Sequence, residues 1–204
     1  MMRTLGEVAY RVGALARASD VPDHGLRDFV ATHDPGRALD IGCGAGRNAL
    51  FLAASGWDTT GVEILGSAVA EARSAAEDRG LTVRFIQGDV TELPTLGIGE
   101  NFQLLMDGGC YHMIPALKRD AYARSISAVA AAGATLIIVG FTRHLAFGMG
   151  RDELIKRFVG WRLVDSQPVP GEQMHQYISG PRLMRAALRH GRFGPWRYRF
   201  ERSG

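Results

Sequence analysis

The stretch that decides the fold is Ala38-Leu39-Asp40-Ile41-Gly42-Cys43-Gly44-Ala45-Gly46-Arg47-Asn48. An apolar run at its start predicts a strand over 37–41, and the residues from 47 to 55 have the pattern of a helix. The three glycines between them, spaced by two residues, let the backbone turn sharply and approach a ligand without Cβ clashes. The stretch therefore predicts a strand, a glycine-rich turn and a helix in direct succession.

On both sides of this stretch, short apolar runs alternate with helical patterns. The runs 102–107 and 134–141 are continuously apolar, which is typical of strands buried on both faces. Such alternation predicts an α/β fold in which helices cover both faces of a parallel sheet. The other predicted strands are 58–63, 82–87, 161–169 and 196–202, and the predicted helices are 67–79, 118–132 and 151–159, with one or two more before 34 and one near 181–190.

Length and charge limit the function classes. A chain of 204 residues with 46% hydrophobic and 22% charged residues predicts one folded domain rather than a disordered chain. The net charge is +3, but residues 182–202 contain seven arginines and one acid, a local charge of +6, so the rest of the chain is mildly acidic. This basic segment keeps an RNA-binding surface among the alternatives.

The two cysteines and the chain ends bear on location. Cys43 and Cys110 have neither metal-site nor redox-pair spacing, so we expect free thiols in a reducing cytoplasm and no metal centre. No signal peptide is expected, because the N-terminus is charged and lacks an apolar run of about 7–15 residues. The longest uncharged stretch, 125–142, contains two glycines and predicts a helix end and a buried strand rather than a membrane span. We expect a cytoplasmic monomer or homodimer with no membrane partner.

The charge beside the glycine turn separates two cofactor classes. Glu63 ends the next predicted strand, 21 residues after Gly42, which is the spacing of an acid that accepts hydrogen bonds from ribose hydroxyls. A dinucleotide pyrophosphate needs G-x-G-x-x-G and no acid nearby, whereas here Gly46 comes one residue early and Asp40 ends the strand. A carboxylate at this place suits a ligand with an ammonium group, such as S-adenosylmethionine. A nicotinamide oxidoreductase is therefore disfavoured.

The segment 40–48 resembles motif I, D-x-G-x-G-x-G, of the class I S-adenosylmethionine-dependent methyltransferases, and its Gly-Arg-Asn ending is similar to that of the small tellurite-resistance and thiopurine-type members. The resemblance runs from about 40 to 202. It implies a Rossmann-like three-layer sandwich whose seven-stranded sheet is mostly parallel with an antiparallel final strand. It also implies S-adenosyl-L-methionine as cofactor and a single domain over 1–204, with a helical cap in 1–33, a cofactor-binding core in 34–142 and a substrate side with the last two strands in 143–204.

The same resemblance implies the cofactor-binding residues. Glu63 matches the ribose-binding acid, and Ile64 stands where an apolar residue packs on adenine. Gly88-Asp89-Val90 matches the motif whose acid binds the adenine amino group. Asp107-Gly108-Gly109-Cys110-Tyr111-His112 resembles D-R-G-x-[FY]-H, but Gly108 replaces the arginine, so no arginine role carries over. The implied site comprises Asp40, Gly42, Cys43, Gly44, Gly46, Glu63, Ile64, Asp89, Val90 and Asp107.

Catalytic residues are harder to predict, because methyl transfer from a sulfonium mainly requires alignment and exclusion of water. Tyr111 and His112 are the catalytic candidates: either could orient an acceptor, and His112 could take a proton near neutral pH. The alternative is that both are structural. We expect the acceptor to enter over 111–114, 143–150 and the N-terminal helix. Its pocket would be lined by Tyr111, Met113, Phe147 and Met149, with Arg143, His144 and Tyr10 on the same rim.

The leading interpretation is a methyltransferase that modifies an O, N or S atom of a small apolar or aromatic molecule. The alternatives are an RNA or protein methyltransferase that uses the basic C-terminal surface, and a non-catalytic protein that binds S-adenosylmethionine. The sequence lacks the Asp/Asn-Pro-Pro-Tyr/Phe segment and the Pro-Cys pair of nucleic-acid methyltransferases. It also lacks the patterned acids of metal-dependent catechol methyltransferases. We therefore expect neither a nucleic-acid partner nor a metal.

Overall fold

The computed structural model describes residues 21–141, 149–170, 172–173 and 194–204. Strands and helices alternate along this part of the chain, with short 3-10 segments at Val90–Leu96, Tyr111–Met113 and Ala116–Lys118. The elements in chain order are α1 (His24–Val30), β1 (Arg37–Ile41), α2 (Arg47–Ala54), β2 (Asp58–Glu63), α3 (Gly66–Asp78), β3 (Arg84–Gln87), β4 (Phe102–Asp107), α4 (Arg119–Val129), β5 (Ala130–Phe141), α5 (Arg151–Arg157), β6 (Trp161–Pro168) and β7 (Pro195–Arg202).

The seven strands form one sheet in the order β3-β2-β1-β4-β5-β7-β6. The pairings among β1 to β5 are parallel, while β7 runs antiparallel to both of its neighbours, β5 and β6. This confirms the predicted Rossmann-like sheet with an antiparallel final strand. The chain reverses its direction of growth between β1 and β4, and in open α/β sheets the crevice beyond the carboxyl ends of such strands is where ligands bind.

Apolar side chains on both faces of the sheet hold the layers together. Alternate residues of a strand point to opposite faces, and β5 shows this clearly. Leu136 and Ile138 pack into the core under α4 and α5, whereas Ile137 and Val139 on the other face pack in the cluster that contains Leu26 and Phe29 of α1. A third cluster joins α2 and α3 to β3 through residues such as Leu50, Val69 and Phe85. Helices therefore cover both faces, as a three-layer sandwich requires.

The junction between α4 and β5 differs from the prediction. The alanine-rich stretch up to residue 132 predicts a continuing helix, but α4 ends at Val129 and β5 begins at once with Ala130, which pairs with Phe102 of β4. The register then shifts before Leu104 pairs with Thr135, and Gly133 in this irregular stretch has a φ of +71°. Pairing with β4 therefore overrides the helix propensity of alanine.

Several predictions lie outside the described residues: the helix near 181–190 and the rim residues Tyr10, Arg143, His144 and Phe147. The division of the chain into cap, core and substrate side stays a prediction. None of the helices in the described ranges is long and apolar enough to cross a membrane.

Candidate functional site

The glycine turn joins β1 to α2 at the point where the strand order reverses. Gly42, Gly44 and Gly46 all have positive φ, at +65°, +54° and +87°. The amides of Gly42 and Cys43 donate to the Val62 carbonyl of β2 at 2.8 and 3.1 Å, so the turn is tied to the neighbouring strand. A Cβ on Gly42 would lie 2.6 Å from the Cβ of Cys110, and one on Gly46 would lie 2.9 Å from the Phe85 ring. Backbone conformation and close packing therefore both require glycine at 42 and 46.

Three carboxyl groups stand at the carboxyl ends of adjacent strands. Ile41 pairs with Val62 on one side and with Asp107 on the other, so Asp40, Glu63 and Asp107 lie near one edge of the sheet. Asp107 and Glu63 also raise the pKa of Asp40 by charge repulsion. Asp89 follows β3, whose last residue pairs with Glu63. The structure thus brings together the four acids that the sequence places at strand ends.

Asp40 lies near the end of β1, just before the turn, and is almost completely buried. Its Oδ2 accepts a hydrogen bond of 2.9 Å from the amide of Ala49 in α2. Burial raises the pKa of Asp40 to about 7, against the opposing effects of this hydrogen bond and of Arg47. A carboxyl group with this pKa is partly protonated at neutral pH, and a cationic ligand would favour its charged form.

Glu63 ends β2 and faces the same turn. Its Oε2 accepts from the amide of Gly44 at 3.1 Å, and its Oε1 accepts from the amide of Leu65 at 3.0 Å. Each carboxylate oxygen has a second lone pair, so these bonds leave capacity for two hydroxyl donors. The adjacent Ile64 side chain is 37% exposed and offers apolar surface beside the carboxylate.

Asp89 is held by two neighbours after β3. Its Oδ1 accepts from the backbone amide and the hydroxyl of Thr91 at 3.0 and 2.8 Å, and its Oδ2 accepts from the Lys118 ammonium at 3.0 Å. These donors keep the pKa of Asp89 below its usual value despite partial burial. Val90, the other predicted contact in this motif, is buried. The ion pair with Lys118 was not predicted, because the two residues are distant in sequence.

Asp107 organises the turn that follows β4. Its fully buried carboxylate accepts from the backbone amides of Gly109, Cys110 and Tyr111 at 2.9, 2.6 and 2.8 Å, and from the hydroxyl of Tyr122 in α4. Burial raises its pKa to about 6 even with these four donors. Direct contact with a cofactor stays a prediction for Asp107, whereas the described geometry makes it the residue that shapes the turn.

The predicted acceptor-orienting role of Tyr111 must be corrected. Its side chain is fully buried, its ring packs on Tyr122 with centroids 5.3 Å apart, and its hydroxyl donates to Glu153 Oε1 at 3.0 Å. Tyr111 therefore points into the core between α4 and α5 and presents no free surface. Met149 is likewise fully buried and does not line an open pocket, whereas Met113 is 55% exposed.

His112 stays at the edge of the crevice. Its half-buried ring meets Phe141 edge-on at 5.6 Å, and a Cβ on Gly140 would lie only 2.8 Å from its Nδ1. This Nδ1 is buried without a hydrogen-bond partner in the described part of the chain. Burial, and secondarily Arg119, lower the pKa of His112 to about 4. The ring is therefore neutral at pH 7, and the expectation that it takes a proton near neutral pH is corrected.

Both cysteines are free thiols at the crevice. Their side chains face different neighbours, since the Cys43 sulfur lies against Gly61 and Cys110 lies against Gly42. Burial raises the pKa of each thiol, so both stay protonated and unreactive at neutral pH. Across the described ranges, no group of three or more His, Cys, Asp or Glu side chains is placed to hold a metal ion.

Known proteins share parts of this sequence. Residues 38–133 match a family model described as a methyltransferase domain. The chain is 34% identical over 109 residues to the 2-heptyl-1-hydroxyquinolin-4(1H)-one methyltransferase of Mycobacteroides abscessus, which covers 53% of this chain and 47% of that protein. It is 28% identical over 104 residues, or 51% of this chain and 70% of the other, to an uncharacterized methyltransferase of Schizosaccharomyces pombe. The chain spans no more than half the length of the first curated relatives that it matches.

Solved structures share the fold. The 1,6-didemethyltoxoflavin-N1-methyltransferase of Burkholderia thailandensis aligns with a TM-score of 0.74 at 20% identity, covering 100% of this chain and 88% of that one. The [4+2]-cyclase SpnF aligns with a TM-score of 0.74 at 18% identity, covering 99% and 95%. The family model extends over the glycine turn and the four strand-end acids. Residues 38–133 are thus similar to a methyltransferase domain, and the chain shares the fold of solved methyltransferases.

Proposed function

We propose that this protein transfers the methyl group of S-adenosylmethionine to an O, N or S atom of a small, apolar or aromatic acceptor. The observation that carries the proposal is the set of four acids around one glycine turn, at the edge where the strand order reverses. Such an acidic crevice suits a ligand that carries both an ammonium and a sulfonium group. The same charges disfavour a pyrophosphate.

Four of the predicted cofactor contacts, Asp40, Glu63, Ile64 and Asp89, have side chains of suitable chemistry. Asp40 would face the ammonium group, and this cation would stabilise the charged form of a carboxyl whose pKa is raised by burial. Glu63 would accept from the ribose hydroxyls with its remaining lone pairs. Ile64 would pack on the adenine ring and Asp89 would accept from the adenine amino group, with Val90 beside it. Gly42, Cys43, Gly44 and Gly46 supply the backbone against which the ligand lies.

Methyl transfer requires little acid–base catalysis from the described residues. When bound, the cofactor supplies a methyl group on a good leaving group. The protein then has to hold the acceptor in line and exclude water. Neutral His112 is suited to hold an acceptor hydroxyl or amine by a hydrogen bond rather than to remove its proton, because its pKa of about 4 makes it a weak base.

The charge of the crevice bears on the acceptor class. Asp40, Glu63, Asp89 and Asp107 lie near one edge, and the Lys118 ammonium is already paired with Asp89. An anionic acceptor would therefore meet repulsion there, whereas the exposed Met113 provides apolar surface. Two related proteins are named for small-molecule substrates, a hydroxyquinolinone and 1,6-didemethyltoxoflavin, which agrees with this acceptor class.

The C-terminal arginines give limited support to the alternative of an RNA acceptor. Arg197 is 7% exposed and its Nη2 lies 3.1 Å from Asp23 Oδ2, while Arg202 donates to the Ala130 carbonyl. Arg199 is half-buried. Two of the three arginines that the structure describes in this segment, Arg197 and Arg202, thus bind other parts of the fold, and we keep a small molecule as the proposed partner. We also propose that the protein acts in the cytoplasm as a monomer or homodimer.

Calorimetric titration tests the cofactor assignment. We expect S-adenosylmethionine to bind and NADH not to bind. Glu63→Ala should weaken S-adenosylmethionine binding by about 1–3 kcal/mol, because charge-assisted hydrogen bonds to the ribose are lost. Glu77→Ala, on the exposed face of α3, is the matched control and should leave the affinity unchanged. Unchanged affinity in a folded Glu63→Ala variant would refute the ribose assignment, and binding of NADH alone would refute the cofactor class.

An acceptor screen that detects S-adenosylhomocysteine tests the transfer itself. We expect turnover with neutral heteroaromatic compounds bearing a hydroxyl, amine or thiol, and none with RNA. The likeness to a [4+2]-cyclase shows that this fold also serves another chemistry. Tight cofactor binding with no S-adenosylhomocysteine formed from any acceptor would favour the non-catalytic alternative.

A further inference from the structure

Arg119, the first residue of α4, is a buried cation outside the set of predicted cofactor contacts. It is 6% exposed, and burial of a charge is costly unless every donor finds a partner. Its Nε donates to the Ile114 carbonyl at 3.0 Å, and its Nη1 donates to Glu153 Oε1 at 2.7 Å. Its guanidinium carbon also lies 4.9 Å from the centroid of the Tyr111 ring. Arg119 therefore contacts both ends of the segment 111–114.

Glu153 on α5 completes this arrangement. Its Oε1 accepts from Arg119, from the Tyr111 hydroxyl at 3.0 Å and from Arg157 Nε at 3.1 Å. Tyr111 is in turn bonded through its amide to Asp107 at the end of β4. A continuous set of contacts thus runs from the strand end that borders the crevice, through Tyr111 and Arg119, to α5.

We infer that Arg119 is a positioning residue: by joining the Ile114 carbonyl to Glu153, it fixes the segment 111–114 and with it the His112 ring at the edge of the crevice. The consequence for the acceptor rests on the proposed methyl transfer, whereas the placement of His112 does not. Three residues close to the His112 ring, Gly109, Gly140 and Phe141, are uncharged. The charge of Arg119 lowers the pKa of His112 further than burial does alone. Arg119 would therefore keep the ring both placed and neutral.

A purely structural role of Arg119 would stabilise the fold without affecting His112 in particular. Arg119→Met removes the charge and the forked donors while keeping a long apolar side chain. Arg124→Met, at an exposed position of the same helix, is the matched control with the same loss of charge. Arg119→Lys keeps the charge but cannot reproduce the two-sided guanidinium contacts. Together the three variants separate charge, geometry and general stability.

The first readout is the NMR titration of His112, whose signal is identified by its loss in His112→Gln. In Arg119→Met we expect the titration midpoint to move from about 4 toward the ordinary histidine value of about 6.5. The second readout is hydrogen exchange of the Met113 and Ile114 amides, which donate to the carbonyls of Cys110 and Tyr111. Their exchange should be about tenfold faster in Arg119→Met than in Arg124→Met, because the segment opens more often. Arg119→Lys should keep the low midpoint but show the faster exchange.

The inference is overturned if Arg119→Met and Arg124→Met have the same His112 midpoint and the same amide exchange. If Arg119→Met does not fold, Glu153→Gln takes its place, because it removes the anionic partner while keeping the shape. It should likewise speed exchange at 113–114. With an identified acceptor, Arg119→Met should raise the acceptor KM several-fold and leave the affinity for S-adenosylmethionine unchanged. If the unmodified protein binds no S-adenosylmethionine, the proposed function fails, while the titration and exchange still decide the role of Arg119.

Discussion

Lowering the pH should weaken cofactor binding through Asp40. Burial raises the pKa of this carboxyl to about 7, so the free protein carries a mixture of its neutral and charged forms near neutral pH. A ligand with an ammonium group prefers the carboxylate, and protons therefore compete with the ligand. For a pKa of 7, the carboxylate fraction is about 9% at pH 6.0 and about 76% at pH 7.5, which predicts a roughly eightfold loss of affinity. Affinity rises with pH, because binding releases the proton.

Calorimetry at pH 6.0, 6.5, 7.0 and 7.5 measures this dependence. The upper limit keeps the α-amino group of the ligand largely protonated, since such groups titrate near pH 7.7–8.0. At pH 6.0, titrations in buffers of different ionisation enthalpy should reveal the released proton as a buffer-dependent heat. The expected heat difference corresponds to nearly one proton per ligand bound, because most of the free protein is protonated at Asp40 under these conditions.

The variant Asp40→Asn assigns the effect to this residue. Asp107, with a pKa of about 6, titrates in the lower part of the same range, so the pH dependence alone does not identify Asp40. Asp40→Asn should bind S-adenosylmethionine more weakly and lose most of the pH dependence. The reasoning is refuted if wild-type affinity is the same at pH 6.0 and 7.5, or if Asp40→Asn retains the eightfold change.

Two further predictions concern stability. Arg197→Met should lower the free energy of unfolding by about 3–5 kcal/mol, because it leaves the fully buried Asp23 carboxylate without its cation. Urea denaturation measures this loss. The double variant, Asp23→Asn with Arg197→Met, should recover part of the lost stability. Equal stability of the single and double variants would contradict the ion-pair argument. Gly46→Ala should destabilise by about 2–5 kcal/mol, since it combines a positive φ with a steric clash. Gly44→Ala has the positive φ but no atom within 4 Å of its new Cβ, so thermal unfolding should show a smaller loss of stability than for Gly46→Ala. Equal losses of stability in the two variants would exclude the steric clash as the cause.

Much of the fold was predictable because its signals are local. The bounds of β1, β2 and β4 agree with the predicted strands 37–41, 58–63 and 102–107, and a glycine directly follows β1 and β4. The start of β5 was not predictable in the same way. Ala130 joins the sheet because Phe102 of β4 lies beside it, and that neighbour is 28 residues away in the sequence.

The candidate site likewise has features that the sequence predicts and features that depend on the tertiary structure. The sequence by itself determined that Asp40, Glu63, Asp89 and Asp107 lie at or just after the ends of successive strands, and parallel strands necessarily bring such residues to one edge. Only the tertiary structure decided that Tyr111 faces the core while its neighbour His112 borders the crevice. Protonation states and side-chain directions depend on burial and on partners remote in the chain. Neither is encoded in the local pattern of residues.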